Sequence, residues 1–416
     1  METITIINYV IMAIFFVCYA YQFFYIPVAL LKKEKALPDG DYNRFAVLIA
    51  ARNEEAVIGN LIDSLKQQDY PASLVDIYVV ADNCTDSTAD IANEHGAYVF
   101  ERFNQSQVGK GYALSFLLDK IEGCYDAYLV FDADNVVDSN YIREMNKTFC
   151  AGYDVITSYR NTKNYGDNWI SSGYALWFLR EAQYLNRPRA KLHASCGVSG
   201  TGFMFSRRIL EQCGGWNFFL LTEDIEFTAF NITNGVKIGY CPTAVFYDEQ
   251  PTDFKQSVRQ RTRWVQGYLQ VLKRYGKKLF KGCLHGSFSC FDMLMSIAPA
   301  AILTWISVLI SLFSTVYRFV NGADVMTVLT SIGQCLVGLC ATVFVIGVIT
   351  LISEWKQIHC PAGKKLVSAI TFPLFMLTYL PITATALVCK PDWKPITHSK
   401  NIPVQELTGK VKERSY

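Results

Sequence analysis

Charge is scarce in this chain, and what there is lies mostly in one part. Charged residues make up 18% of the 416 positions and hydrophobic residues 51%, which is apolar for a water-soluble enzyme of this length. Acidic residues are dense from Asp39 to Asp253 and sparse from Cys283 to Cys389, so a polar body joined to a membrane region is expected. The 39 Lys+Arg and 37 Asp+Glu leave a net charge of +2. No basic block is interleaved with aromatics, so a nucleic-acid partner is not expected. No Gly-x-Gly-x-x-Gly follows the first predicted strand, and no Gly-x-x-x-x-Gly-Lys-Ser/Thr loop occurs, which argues against a Rossmann dinucleotide site and a P-loop. The 13 cysteines are scattered, several inside apolar runs, and none forms a Cys-x-x-Cys pair. They read as reduced or lipid-buried thiols rather than a disulfide framework.

What is present begins with long apolar runs. Thr5 to Leu31 is uncharged and exceeds the roughly 20 residues needed to span a bilayer. Lys32, Lys33 and Lys35 follow at once, and Tyr19, Tyr21, Phe23, Phe24 and Tyr25 crowd the end. A cleaved signal would place its charge first, so residues 1–31 read as a permanent anchor with residue 32 onward in the cytoplasm. Residues 288–389 read as a second membrane region with apolar stretches at Phe288–Phe319, Val325–Ser353 and Leu366–Cys389. Pro373 and Pro381 invite a kink or a re-entrant path in the last. Three crossings would put the C-terminus outside, whereas the basic tail 390–416 (Lys390, Lys394, Lys400, Lys410, Lys412, Arg414) argues for inside; the reading adopted is a cytoplasmic tail and one crossing fewer. Between the body and the second membrane region, residues 254–282 mix Phe254, Trp264 and Leu269 with Arg259, Arg261, Arg263, Lys273 and Lys277, the pattern of an amphipathic helix on the cytoplasmic leaflet.

Residues 44–253 alternate strand and helix patterns. Phe45–Ala50, Asp76–Ala81, Tyr98–Phe100 and Tyr128–Phe131 read as strands; Glu54–Gln67, Ser87–His95 and Lys110–Lys120 read as helices. Alternation of this kind predicts an α/β domain on a parallel sheet, with ligands beyond the strands' carboxyl ends. Three such ends carry polar clusters: Arg52, Asn53, Glu54 and Glu55; Asp82 to Asp86; and Asp132 with Asp134. Alternate residues of an extended segment point the same way, so Asp132 and Asp134 form a hard oxygen pair suited to Mg2+ or Mn2+ bridging a diphosphate. Thr222-Glu223-Asp224-Ile225-Glu226 reads as a helix start with Thr222 as N-cap and acids in the first turn, where a carboxylate could accept a hydroxyl proton. Gly197-Val198-Ser199-Gly200-Thr201-Gly202 is a small-residue loop that permits close backbone approach.

Ala50-Ala51-Arg52-Asn53-Glu54, Asp132-Ala133-Asp134, Thr222-Glu223-Asp224 and Gln260-Arg261-Thr262-Arg263-Trp264 together resemble, in order, the motifs of membrane-embedded family-2 inverting glycosyltransferases, the group of cellulose, hyaluronan, chitin and poly-N-acetylglucosamine synthases. The likeness covers residues 44–270. It implies a GT-A catalytic domain with N- and C-terminal transmembrane helices, a UDP-sugar donor and Mg2+ or Mn2+. It implies donor contacts from Ala50, Arg52, Glu54, Asp82 and Lys110, with Glu54 and Asp82 at the uracil and ribose. Asp132 and Asp134 would position the diphosphate, Asp134 as the more direct metal ligand. Asp224, beside Glu223, would be the catalytic base. Gln260, Arg263 and Trp264 would lie at the membrane entrance, Arg263 against the leaving diphosphate and Trp264 against the acceptor sugar. The implied acceptor is a growing polysaccharide, with accessory export subunits as partners; the alternative is a single addition to a lipid or lipid-linked acceptor. A single N-terminal span is fewer than many synthases have. Trp393-Lys394-Pro395-Ile396-Thr397-His398 falls where some relatives carry a loop over the active site.

Overall fold

The computed structural model describes residues 2–32, 36–298, 325–389 and 400–408, together with His398 and five residue pairs between 305 and 320. Lys33, Lys35, Trp393–Thr397 and the tail residues Lys390, Lys410, Lys412 and Arg414 lie outside the described residues, as does part of the Phe288–Phe319 run.

The chain opens with one long helix, α1 (Glu2–Leu31), with Pro27 in its last turns. A mixed eight-stranded sheet follows. Its strands are β1 (Phe45–Ala51), β2 (Val75–Asp82), β3 (Tyr98–Arg102), β4 (Ala127–Asp132), β5 (Val136–Val137), β6 (Val155–Thr162), β7 (Phe203–Ser206) and β8 (Ile238–Asp248). The spatial order is β3-β2-β1-β4-β7-β6-β8-β5. Connecting helices are α2 (Ile58–Lys66), α3 (Thr88–Glu94), α4 (Lys110–Leu118), α5 (Tyr141–Cys150) and α6 (Trp169–Glu181). A π-helical turn (Ala182–Asn186) continues α6 into α7 (Arg187–Lys191), and α8 (Arg207–Gln212) and α9 (Glu223–Thr233) complete the body.

The expected parallel sheet holds for one half. β1, β2, β3 and β4 are parallel, but β7 runs antiparallel to both β4 and β6, and β5 runs antiparallel to β8. Gly202, at the entry to β7, donates its N–H to Val130 O at 2.9 Å. The alternation of apolar residues on β1 divides the core. Ala46 and Leu48 join the cluster on one face of the sheet, and Phe45, Val47 and Ile49 the other, as a two-residue period requires.

Beyond the body, α10 (Phe254–Leu284) is a single 31-residue helix capped by Asp253, whose side chain accepts from Gln256 N. It is followed by α11 (Phe288–Ile297), α12 (Val325–Ser353), α13 (Ala362–Leu377), α14 (Tyr379–Val388) and a short α15 (Val404–Thr408). Among the described residues one stretch, Ala362–Val388, is long and apolar enough to cross a membrane; Phe16–Leu31, Phe288–Ile297 and Val337–Ser353 are shorter apolar helices. The break between α13 and α14 at Thr378 lies between the two prolines, Pro373 and Pro381. Described cysteines are all free.

Polar pins join these helices to the body. Tyr159 of β6 donates to Glu354 Oε2, and Asn161 Nδ2 donates to Gln357 O at 2.9 Å. At the other end, Asp292 of α11 accepts from Tyr21 (2.7 Å) and Tyr25 (3.0 Å) of α1 and from Arg189 Nε (2.6 Å).

Candidate active site

The parallel half of the sheet builds the floor of a crevice. Register places Ala50 opposite both Val80 and Asp132, so β1, β2 and β4 end at one level. The chain must then turn sharply. Asn53 and Asn83 do so at φ of 56° and 54°, a left-handed conformation that Asn tolerates better than most residues. The expected helix at Glu54 starts four residues later, at Ile58. Glu54 O instead accepts from Val57 N and Ile58 N in a turn, which leaves the Glu54 carboxylate at the crevice.

A cavity of about 710 Å3 occupies that crevice. Ala50, Arg52, Glu54, Asp82, Lys110, Asp132, Asp134, Glu223, Asp224, Gln260, Arg263 and Trp264 all line it, although they come from eight separate elements and turns. The structure thus brings these twelve residues to one space.

The polar end is densely cross-linked. Lys110 Nζ donates to Asp132 Oδ1 and to Gly200 O, the latter at 2.7 Å. Asp132 N donates to Thr201 Oγ1 at 2.9 Å. Gly202 has φ of 64°, and a Cβ there would lie 2.2 Å from the Phe246 ring, so the small-residue loop fits only as glycine at this point. Asp82 is already held by Arg102 Nη1 at 2.5 Å. Asp134 is buried, and its Oδ2 accepts from Glu249 N at 2.8 Å. Burial would raise the Asp134 pKa, but His398, Lys163 and Arg160 outweigh it and hold the carboxyl below its ordinary value. Burial pushes the Lys163 ammonium down against Asp134, Glu249 and Asp248. Asp132 and Asp134 fit a hard divalent cation as a two-carboxylate site that a substrate diphosphate and waters would complete.

His398 enters this end from the C-terminal segment. Its Nδ1 lies 2.9 Å from both Glu54 oxygens. Burial works against its charged form, but Asp134, Glu54 and Glu249 lift its pKa to about 10. Burial lifts Glu54 to about 7 even against the pull of His398. Both partners bid for the same proton, and the neighbouring Asp134 and Glu249 charges favour it on the imidazole. Lys400 N donates to Glu249 at 2.9 Å, and Leu407 packs on Val136 and Tyr247. So the segment straps back across the body.

Glu223 and Asp224 open α9. Thr222 stands at the N-cap position but does not cap: its Oγ1 is buried without a bonding partner. Gly267 of α10 accounts for this, because a Cβ there would meet Thr222 Oγ1 at 2.5 Å; the close helix approach seals the Thr222 side chain in. Burial, then the neighbouring Asp224 charge, pushes Glu223 up to about 7, against Lys110 and Arg263. Burial also raises Asp224.

The Gln-x-x-Arg-Trp segment forms the next wall. Arg263 Nη1 donates to Leu221 O at 3.1 Å, bracing the turn before α9. Trp264 meets Tyr174 edge-on at 5.7 Å between ring centres. Gln260 Oε1 is buried with no bonding partner. Arg261, between them, is fully buried and leaves the cavity altogether: it donates to Thr378 Oγ1 at 2.7 Å and to Phe375 O at 3.3 Å at the α13–α14 break. Beyond Trp264 the cavity runs on between the helices, past Leu339, Val343, Met376, Leu377 and Leu380.

Sequence reasoning did not find Arg160, Lys163, Glu181 or Glu249 in the lining or close around it. Arg160 donates to Asp248 Oδ2 at 2.6 Å and to Ser199 O at 3.1 Å, and lies 3.5 Å above the Phe178 ring.

Residues 43–267 match the family described as glycosyltransferase like family 2. A probable glycosyltransferase of Bacillus subtilis is 28% identical over 57% of this chain and 58% of its own length. The β-monoglucosyldiacylglycerol synthase of a Nostoc species is 28% identical over 60% of this chain and 54% of its own length. The poly-β-1,6-N-acetyl-D-glucosamine synthase of Staphylococcus epidermidis is 23% identical over 64% of this chain and 65% of its own length. The chain therefore spans less than two thirds of each of these relatives. Its fold is shared with the mannosyltransferase of Pyrobaculum calidifontis solved in complex with GDP-Man and Mn2+, at a TM-score of 0.59 and 16% identity over 91% of this chain and 98% of that one. The match to more than half of the chain, over the segment that carries all four motifs, makes this protein a glycosyltransferase that belongs to family 2.

Proposed function

We propose that this enzyme moves a hexosyl unit, glucose or N-acetylglucosamine, from a UDP-sugar to a hydroxyl of a membrane-held acceptor, with inversion and with Mg2+ or Mn2+. The observation that carries this is the continuity of the cavity, from the strand-end carboxylates past Asp224 to the apolar helices. Glu54 and Asp82 hold the nucleoside. Lys110 and Arg263 face the diphosphate as fixed cations, a geometry that stabilises a leaving charge. Asp132 and Asp134 would hold a divalent ion, which would supply further charge neutralisation at the diphosphate. Asp224 Oδ takes the proton from the acceptor hydroxyl. The freed oxygen attacks the anomeric carbon, and the bond from that carbon to the diphosphate oxygen breaks with its electron pair leaving on UDP. One in-line displacement inverts the centre.

The apolar run past Leu339, Val343, Met376, Leu377 and Leu380 favours a lipid or lipid-linked acceptor over a growing polysaccharide. A hydrated glycan needs polar partners along its path, whereas alkyl chains bury there at no such cost. Its relatives in Nostoc and Staphylococcus carry names of both kinds. The body is assigned to the cytoplasmic face on the strength of Lys32 and its neighbours, with α1, α12 and the α13–α14 pair in the bilayer and α10 along its surface.

Membranes carrying the enzyme are incubated with labelled UDP-glucose or UDP-N-acetylglucosamine and the products sized. One labelled lipid species is expected. A ladder of polymer lengths would overturn the lipid reading and restore the polysaccharide one, and no labelled product with any nucleotide-sugar would overturn both.

A further inference from the structure

Aromatic side chains and a second carboxylate, Glu181, line the cavity together with Asp224. α6 presents Tyr174, Trp177, Phe178 and Glu181 on one face, at the spacing that stacks residues along a helix. Trp177, Phe178 and Glu181 line the cavity from that side; Trp264 and Tyr268 of α10 and Tyr379 of α14 line it from the others. Trp177 and Tyr379 lie 6.3 Å apart between ring centres. Glu181 is the last residue of α6 before the π-helical turn Ala182–Asn186, a local irregularity that recurs at functional sites.

Glu181 is wired directly to the reaction centre. Ser199 Oγ donates to Glu181 Oε1. The next residue, Gly200, has its Cβ position 3.9 Å from Asp224 Oδ2, and its carbonyl accepts from Lys110, which also holds Asp132. One peptide step therefore separates the Glu181 contact from the groups at the displacement. Glu181, Asp224 and Tyr268 all line this one cavity. Flat aromatic rings against C–H faces and carboxylates accepting hydroxyl protons are together the chemistry that recognises a polyhydroxylated ring.

We infer that Glu181 is an acceptor-binding residue: its second carboxylate oxygen accepts from an acceptor hydroxyl beside the one that Asp224 deprotonates, so the preferred acceptor is a lipid whose head is a sugar ring. This rests on the transferase reading above. The purified full chain is given octyl β-glucoside or 1-octanol as acceptor, with donor turnover followed alongside as UDP release. Glu181→Gln is the informative variant. Its amide oxygen keeps the Ser199 bond, while its NH2 replaces an acceptor oxygen with a donor at the acceptor hydroxyl. The wild type should transfer to octyl β-glucoside far better than to 1-octanol. Glu181→Gln should raise the KM for octyl β-glucoside about 10- to 100-fold, the range for one hydrogen bond to a charged group, with UDP affinity and Tm unchanged.

Three results would overturn the inference while leaving the transferase reading intact: equal use of the two acceptors, no transfer to octyl β-glucoside by an enzyme that turns over donor, or an unchanged acceptor KM in the variant. A purely structural Glu181 gives the last of these, since the Ser199 bond survives the change. A wild type that neither transfers nor hydrolyses any nucleotide-sugar sinks the underlying reading instead.

Discussion

Asp224 and Glu223 are neighbours in sequence with different environments. Glu223 is buried, whereas Asp224 is partly open and lines the cavity. A base must be deprotonated to act, so kcat/KM should rise with pH through the pKa of Asp224. Because burial raises that pKa, the acid limb should lie above the ordinary Asp value of 3.8. A pH–rate profile checks this, and Asp224→Asn should abolish transfer while calorimetry still detects UDP. His398 is the residue-scale counterpart at the donor end. His398→Ala leaves Glu54 without its charged partner, and the KM for the UDP-sugar should rise about 10-fold or more, as loss of a charge-assisted hydrogen bond implies. Most of these side chains stood out because polar clusters follow three apolar strands whose carboxyl ends share one side of a sheet, and four motifs occur in order. Arg160 and Lys163 were not. They belong to β6 and the turn after it, whose sequence Val-Ile-Thr-Ser-Tyr-Arg-Asn-Thr hides a buried strand behind polar letters. Thr157, Ser158, Asn161 and Thr162 are all buried, with partners such as Gly202 O for Ser158 and Gln357 O for Asn161. Hydropathy cannot register polar groups that are satisfied inside.

Among the elements, α10 ties the most together. One face carries Gln260, Trp264 and Tyr268 to the cavity; another puts Arg261 into the α13–α14 break. An Arg with no exposed surface is costly unless its N–H groups find acceptors; here Nη1 donates to Phe375 O and Thr378 Oγ1, Nη2 has no hydrogen-bond partner, and the guanidinium lies 4.3 Å over the Phe375 ring. Arg261→Ala should cost about 1.5–3 kcal/mol per charged hydrogen bond lost and lower the Tm in detergent. Gly267→Leu tests the contact of α10 with α9. Its side chain has no room beside Thr222, so a loss of about 1–3 kcal/mol in stability and a lower kcat are expected, read by thermal unfolding and single-turnover rates. α10 was foreseen as one basic, aromatic helix on the leaflet, with Gln260, Arg263 and Trp264 turned to the diphosphate and acceptor. The buried half was missed because charge alone suggested solvent. The antiparallel β7 was also missed, since four residues after a glycine loop carry too short a pattern to give direction.

For the molecule as a whole, the polar pins matter as much as the cavity. Tyr159 and Asn161 fasten the sheet to the turn after α12, Arg189 and two tyrosines fasten α1 and α11, and Arg261 fastens the α13–α14 break. The catalytic body is thus held at fixed height and tilt against its apolar helices. Apolar runs in the sequence announced those helices, yet not their docking, because the groups that dock them are single tyrosines, asparagines and arginines with no periodic signature.

On the proposed lipid acceptor, the run of the cavity past Leu339, Val343, Met376 and Leu380 has a kinetic consequence. An acceptor that arrives sideways between helices is dissolved in two dimensions, and its effective concentration is its mole fraction among the lipids around the protein. Diluting it with an inert phospholipid at constant bulk amount should slow the enzyme in proportion, while diluting the whole suspension with buffer, donor held fixed, should leave turnover per enzyme unchanged. Vesicle assays at varied surface fraction measure this directly. For one of its two substrates, the bilayer rather than water would be the solvent.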